Sequence, residues 1–169
     1  VVDPDGVDVP EGTPGELLVR GARGSTIMKG YFKDTDATAR TIKDGWLWTG
    51  DVVRVNEAGY FQFVDRAGDM LKRAGENIAA GEVEAVIKTH PAVVDTAVIG
   101  VPDEMRDESI KAFVVVREGE APTEQEIIDY CAARLSKFRV PEFIEFRNEL
   151  PRTSVGKIQK HILRAEEGV

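Results

Sequence analysis

Lys157, in the stretch PRTSVGKIQK, is a cation at the end of a glycine-containing loop. It is either the phosphate-gripping lysine of a nucleotide site or a solvated surface charge. It does not belong to a phosphate-cradling P-loop, which needs a glycine where Pro151 stands and Ser or Thr where Ile158 follows the lysine. In GWLWTGD, Asp51 follows two tryptophans and the pair Thr49-Gly50. An ionised carboxylate only accepts, so Asp51 either takes hydrogen bonds from vicinal hydroxyls such as those of a ribose or closes a hairpin corner. The run VDRAGDMLKRAGENI sets Asp65, Arg66, Asp69, Lys72 and Arg73 around Gly68 and Gly75. It reads as a charged, glycine-broken linker, as a hinge, or as a close approach to a ligand. In LSKFRVP, Lys137 and Arg139 flank Phe138. That set either holds a phosphorylated adenine by charge and stacking or places cations against a helix C-terminus.

Other chemistries find no support. His90 and His161 have no second ligand-type residue at metal spacing, and no metal site is expected in the chain. No Ser/His/Asp or Cys/His arrangement positions a base for a nucleophile. The single cysteine, Cys131, lies in the apolar-periodic stretch EIIDYCAARL and is expected as a buried structural thiol. The chain carries a net charge of −8 and no basic run, which argues against nucleic-acid binding. No apolar run approaches the ~20 residues that span a bilayer. The N-terminus is not a signal peptide, so a cytoplasmic protein is expected. VVDPDGVDVPEGTPGELLVRG begins inside β-structure without an initiator methionine, and a fragment of something longer is expected.

The elements that must position these residues follow from pattern and punctuation. With 169 residues, 42% of them hydrophobic, the chain has material for one ordinary core or two small ones. The first third reads as β and turn: ELLVR after Pro14-Gly15, then DGWLWTGDVVRV and GYFQFVD joined by NEAG as a hairpin. From residue 67 helices and strands alternate. GEVEAVIKTH is a helix with Val83, Val86 and Ile87 on one face, stopped by Pro91; DTAVIGV and IKAFVVV are buried strands. Thr123 with Glu126 forms a capping box opening the helix EQEIIDYCAARLS. EFIEF is a last strand and QKHILRAEE a final short helix. The expectation is an α+β chain: a β-rich segment over 1–66, then a small unit over 67–169 with a sheet flanked by helices.

The order and spacing of these stretches resemble the C-terminal portion of the adenylate-forming superfamily, over essentially the whole chain. GELLVRG…MKGYF followed by DGWLWTGD is similar to the run from G-E-L-x-x-R-G into T-G-D. DRAGDMLKRAGENIAAGEVE, LSKFRVP and PRTSVGK are similar to three further ordered motifs. Asp65 before Arg66 and the GENI run lean towards acyl-CoA synthetases of the crotonobetaine- or carnitine-CoA ligase type. The resemblance implies that residues 1–66 end a large domain and 67–169 form a mobile lid. It implies ATP-dependent activation of a carboxylic acid as acyl-adenylate and transfer to CoA, with Mg held outside this stretch. Asp51 and Arg66 would hold the nucleotide, Lys157 would be catalytic, and Gly68 would be the hinge, where the family usually has Asp or Lys. Lys72, Arg73, Gly75, Glu76, Lys137, Phe138 and Arg139 are candidates for the CoA channel. The phosphate loop and acid pocket would lie N-terminal to this stretch, leaving it inactive alone. A lysine acetyltransferase acting on Lys157 would remove its charge. Two alternatives stay open: an adenylating enzyme that loads a phosphopantetheine carrier protein, and a lid-fold interaction domain without catalysis.

Overall fold

Short β-branched and aromatic runs broken by glycine turns set the architecture of the first part of the chain. The computed structural model describes all residues, 1–169, and the chain divides into two compact units, Val1–Gly68 and Asp69–Val169. In the first unit, β1 (Gly15–Arg20), the short helix α1 (Thr35–Thr41), β2 (Ile42–Lys43), β3 (Trp46–Val55) and β4 (Phe61–Arg66) follow in order. The long strand β3 is central. It pairs antiparallel with β1 along one edge, and with β2 and then β4 along the other. Asp44 and Gly45, with φ of 50° and 81°, make the two-residue turn from β2 into β3. Left-handed backbone at both positions matches the twist of a tight hairpin. The expected hairpin through NEAG is present, and its turn is held by the Asn56 side chain, which accepts from the Ala58 and Tyr60 N–H groups at 3.0 and 2.9 Å. Val2, Ile27, Val52 and Val53 are the buried apolar residues of this unit.

The second unit is a five-stranded sheet covered on both faces. Its elements are β5 (Met70–Arg73), β6 (Glu76–Ala79), α2 (Ala80–Ile87), β7 (Val93–Asp103), β8 (Asp107–Val116), α3 (Glu124–Ala132), β9 (Phe143–Phe146) and α4 (Lys160–Glu166). The strand order is β6-β5-β8-β7, with β9 added parallel beside β8. Because side chains alternate along a strand, β7 and β8 supply two separate cores. Val98, Ile110, Ala112 and Val114 point to one face and pack with Ala80, Val83 and Ile87 of α2 and Ile127 and Cys131 of α3. Ala97, Ile99 and Phe113 point to the other and pack with Leu150 and with Leu163 of α4.

Local signals act where expected. Thr123 Oγ1 accepts from Glu126 N–H, and the Glu126 carboxylate accepts from Thr123 N–H in return, closing the capping box. α3 ends at Ala132, earlier than the pattern through Ser136 suggests, and the Arg134 and Leu135 N–H groups both turn back onto Cys131 O. Burial pushes the Cys131 thiol up to about 11, so it is protonated and inert, as its apolar setting predicts. The fold is therefore α+β, with no helix long and apolar enough to cross a membrane.

Candidate functional site

Asp51 does not close a turn. It lies inside β3, directly across from Arg66 on β4, and its Oδ1 accepts from the Arg66 guanidinium at 2.5 Å. The corner expected near it sits instead at Asp44-Gly45. The Thr-Gly-Asp sequence has a separate job for each residue. Thr49 Oγ1 donates to Leu17 O at 2.7 Å and accepts from Asp51 N–H at 3.2 Å, fastening β3 to β1. Gly50 has a φ of 71°, which only glycine adopts without strain, and a Cβ there would meet the Arg66 guanidinium at 3.1 Å. Its N–H donates to the Glu16 carboxylate at 2.9 Å, a bond whose acceptor comes from the Gly-Glu-Leu run of β1. Asp51 and Arg66 are thus paired on a partly exposed strand surface, presenting an acceptor and a fixed fork of donors side by side.

Lys157 ends a tight loop built from backbone. Thr153 N–H donates to Lys157 O at 2.8 Å, Gly156 N–H to Thr153 O at 2.9 Å, and Lys157 N–H to Thr153 Oγ1 at 3.1 Å. Gly156 takes a φ of 83° at the bend. Arg152, which the motif reading passed over, anchors the loop: its guanidinium donates to Gly156 O at 2.7 Å and pairs with Asp95 on β7. Asp95 also takes Lys88 at 2.8 Å. Burial works to raise the Asp95 carboxyl, yet its hydrogen bonds from Lys88, Thr96 N–H and Arg152 prevail and hold it below the ordinary carboxylate value. With Leu150 and Ile158 packed into the α4 face of the sheet, the loop is braced at both ends. The Lys157 ammonium itself is exposed and makes no ion pair, on a loop braced at both ends.

The residues expected to face CoA lie elsewhere in the second unit. β5 and β6 form a hairpin, with Ala74 and Gly75 at its turn in left-handed backbone, φ 51° and 81°. The run expected as a linker is therefore ordered structure. Lys72, Gly75 and Glu76 are exposed at this turn, and Lys137 and Phe138 are exposed on the short 3-10 turn Lys137–Arg139. Arg139 is committed to Glu82 of α2 at 2.7 Å. Arg73 departs from the expectation of a solvent-facing phosphate ligand. It is buried, its guanidinium donating to Phe138 O at 2.8 Å and Val140 O at 3.1 Å and pairing with Glu142. Both terminal nitrogens of that fork are engaged inside the unit, which leaves Lys72 and Lys137 as exposed cations there.

The remaining candidates are simpler. Gly68 is the last residue before the second unit begins, with open space where a Cβ would stand. His90 Nδ1 accepts from Ala92 N–H at 3.2 Å and its ring meets Tyr130 edge-on at 4.8 Å, so its environment is a packed corner. No three His, Cys, Asp or Glu side chains gather as a metal would need.

Comparison with known proteins shows what the chain is similar to. Residues 82–157 match the family described as the AMP-binding enzyme C-terminal domain. The chain is 46% identical over 157 residues to crotonobetaine/carnitine–CoA ligase of Escherichia coli O8 strain IAI1, covering 92% of this chain and 30% of that protein. It is 46% identical over 162 residues to the ligase of the same name from Proteus mirabilis strain HI4320, covering 95% and 31%. Among solved structures, ATP-bound MatB from Rhodopseudomonas palustris superposes with a TM-score of 0.84 at 32% identity, over 97% of this chain and 32% of that one. The anthranilate CoA ligase AuaEII, in complex with anthranoyl-AMP, also gives 0.84, at 37% identity over 98% and 32%. The chain thus spans about 30% of the length of the curated relatives it matches.

Proposed function

We propose a function from one premise: residues 82–157 belong to the AMP-binding enzyme C-terminal domain family, and the chain matches the corresponding part of acyl-CoA ligases. On that premise the chain is the C-terminal part of an ATP-dependent acyl-CoA synthetase, with residues 1–66 ending the large domain and 67–169 forming its lid. In the first half-reaction a carboxylate oxygen of the acid attacks the α-phosphorus of ATP. The bond to the bridging oxygen breaks, and pyrophosphate leaves. Both reactants are anions, so the barrier falls if a cation meets the charge that accumulates in transfer. The unpaired Lys157 ammonium supplies that cation and helps hold the two reactants together. Asp51 accepts from the ribose hydroxyls, and Arg66 fixes its orientation while donating to the nucleotide. In the second half-reaction the CoA thiol takes the acyl group and AMP leaves. Lys72 and Lys137 meet CoA phosphates while the pantetheine arm passes Gly75. Mg accompanying ATP is assigned no residue here, since no acidic cluster of this chain fits it.

One observation carries this reading. The Lys157 loop is rooted in the α4 face of the second unit's sheet, through Leu150 and Ile158. The β5–β6 turn and the Lys137–Arg139 segment are rooted in the opposite face, through Leu71, Ile78, Leu135 and Val140. A domain with one chemistry on each face can serve two half-reactions in turn by rotating about Gly68. Lys157, exposed and unpaired, is also open to a lysine acetyltransferase, and acetylation would switch off the first half-reaction by removing the charge.

The test is a screen of the full-length protein over a panel of carboxylic acids, with ATP and either CoA or a holo-carrier protein. Acid-dependent pyrophosphate release with thioester formation on free CoA is expected. Transfer to the carrier alone would reassign the acceptor, and no acid-dependent pyrophosphate from any acid would overturn the reading.

A further inference from the structure

We propose that Arg73 is a positioning residue for the thiol acceptor: it clamps the β5–β6 turn to the Lys137–Arg139 segment so that both present one preformed surface. The proposal rests on the two-face reading above. An arginine in the run KRAGEN invites assignment as a phosphate ligand, but its side chain is only 9% exposed and points inward. One nitrogen donates to two carbonyls of the downstream segment, Phe138 O and Val140 O, and the other pairs with Glu142. These acceptors come from residues more than sixty positions later in the chain, so the contact joins two elements that sequence keeps apart.

Glu142 makes the clamp rigid. The same Oε1 that meets Arg73 accepts from Arg106 at 2.6 Å, and its Oε2 accepts from Ile110 N–H at 3.1 Å. Arg106 in turn offers its carbonyl to Ala74 N–H at 2.9 Å, at the bend of the β5–β6 turn. A closed circuit results: Ala74 to Arg106, Arg106 to Glu142, Glu142 to Arg73, and back along the chain to Ala74. The turn at Ala74-Gly75 is in left-handed backbone, and Ala74 does not favour that conformation without outside support. Lysine could not replace the arginine, because a single ammonium on a flexible stem lacks the planar fork that reaches two carbonyls and a carboxylate together. The circuit touches neither the Lys157 loop nor the α4 face, so its loss should fall on one half-reaction.

The experiment uses the full-length enzyme and measures the half-reactions separately: acid-dependent pyrophosphate exchange, and thioester formation from pre-made acyl-adenylate over a range of CoA. Arg73→Lys and Arg73→Met are compared with the double variant Arg73→Met/Glu142→Leu. The double variant removes both partners of the Arg73–Glu142 pair at once, and so keeps the test open if the single change impairs folding. Expected is a rise of at least tenfold in KM for CoA in the methionine-containing variants, a smaller rise in Arg73→Lys, and pyrophosphate exchange within twofold of wild type. Parallel loss of both half-reactions, or an unchanged KM for CoA in a well-folded double variant, would overturn the clamp while leaving the proposed function standing. Wild-type protein that makes adenylate but passes it to no thiol, neither CoA nor a holo-carrier protein, would overturn the function, and the clamp's role with it.

Discussion

Asp51 and Arg66 limit each other: the carboxylate that would receive ribose hydroxyls already holds a guanidinium 2.5 Å away. Replacing Asp51 by alanine therefore removes an acceptor and frees an arginine at once. Hydrogen bonds to a charged group contribute about 1.5–3 kcal/mol. Ribose contacts change little between ground and transition states, so the loss should appear mainly in binding. Asp51→Ala is expected to raise KM for ATP roughly 10- to 100-fold with a smaller effect on kcat, read from steady-state kinetics of the full-length enzyme. An unchanged KM would reduce Asp51 to a strand residue that pairs with Arg66. At this scale the sequence singles out candidates where a proposed role depends on residue type within a short motif, as for Asp51 and Lys157. It was silent where the role depends on direction. Nothing in KRAGEN tells that Arg73 turns inward, because Phe138, Val140 and Glu142 become its neighbours only through the fold.

Elements with their own local signals were legible, and those that exist by tertiary support were not. The Thr123–Glu126 capping box and the Asn56 hairpin could be read because donor and acceptor lie within a few residues of each other. α1 and the two-residue β2 are too short for periodicity, and the β5–β6 hairpin turns on Ala-Gly instead of the usual Asn-Gly or Asp-Gly. The Lys157 loop also depends on a distant partner, Asp95 on β7, and this gives it a pH dependence. The Asp95 carboxyl is held below its ordinary value in the fold, so its ion pairs stabilise the protein above that value and are lost as pH falls through the folded one. The window lies below about pH 4. Asp95→Asn should therefore lower the thermal midpoint by a constant amount from neutral pH down to that window, and the gap should close below it. A gap that widens below about pH 4, or closes near neutrality, would show that Asp95 does not carry the linkage.

Across the whole chain, the passage between units falls at Gly68–Asp69, next to the glycine expected as a hinge. Gly68 has no left-handed backbone to protect and nothing within 4 Å of a Cβ, so packing does not demand glycine there. Gly68→Asp should accordingly be nearly silent in both half-reactions. Gly68→Pro fixes φ near −65° and removes an N–H, and should hold the lid in one orientation, keeping one half-reaction and losing the other. Proline variants that retain both activities would place the hinge elsewhere. The proposed motion would use the opposed faces of the second unit, and these could not be seen in the sequence. Alternation along β7 and β8 identifies two sides, but which loop roots in which side is decided by packing of Leu150, Ile158 and Val140.

The most direct measurement of the account is the pair of half-reactions in full-length Lys157→Ala. Removing the unpaired ammonium should lower acid-dependent pyrophosphate exchange by two orders of magnitude or more, about the loss seen when one transition-state charge stabiliser is deleted. Thioester formation from pre-made acyl-adenylate should stay near wild type, because the proposed function assigns that step to the opposite face of the sheet. Equal loss in both would contradict the division of labour between the two faces, and undiminished exchange would contradict the role of Lys157 itself.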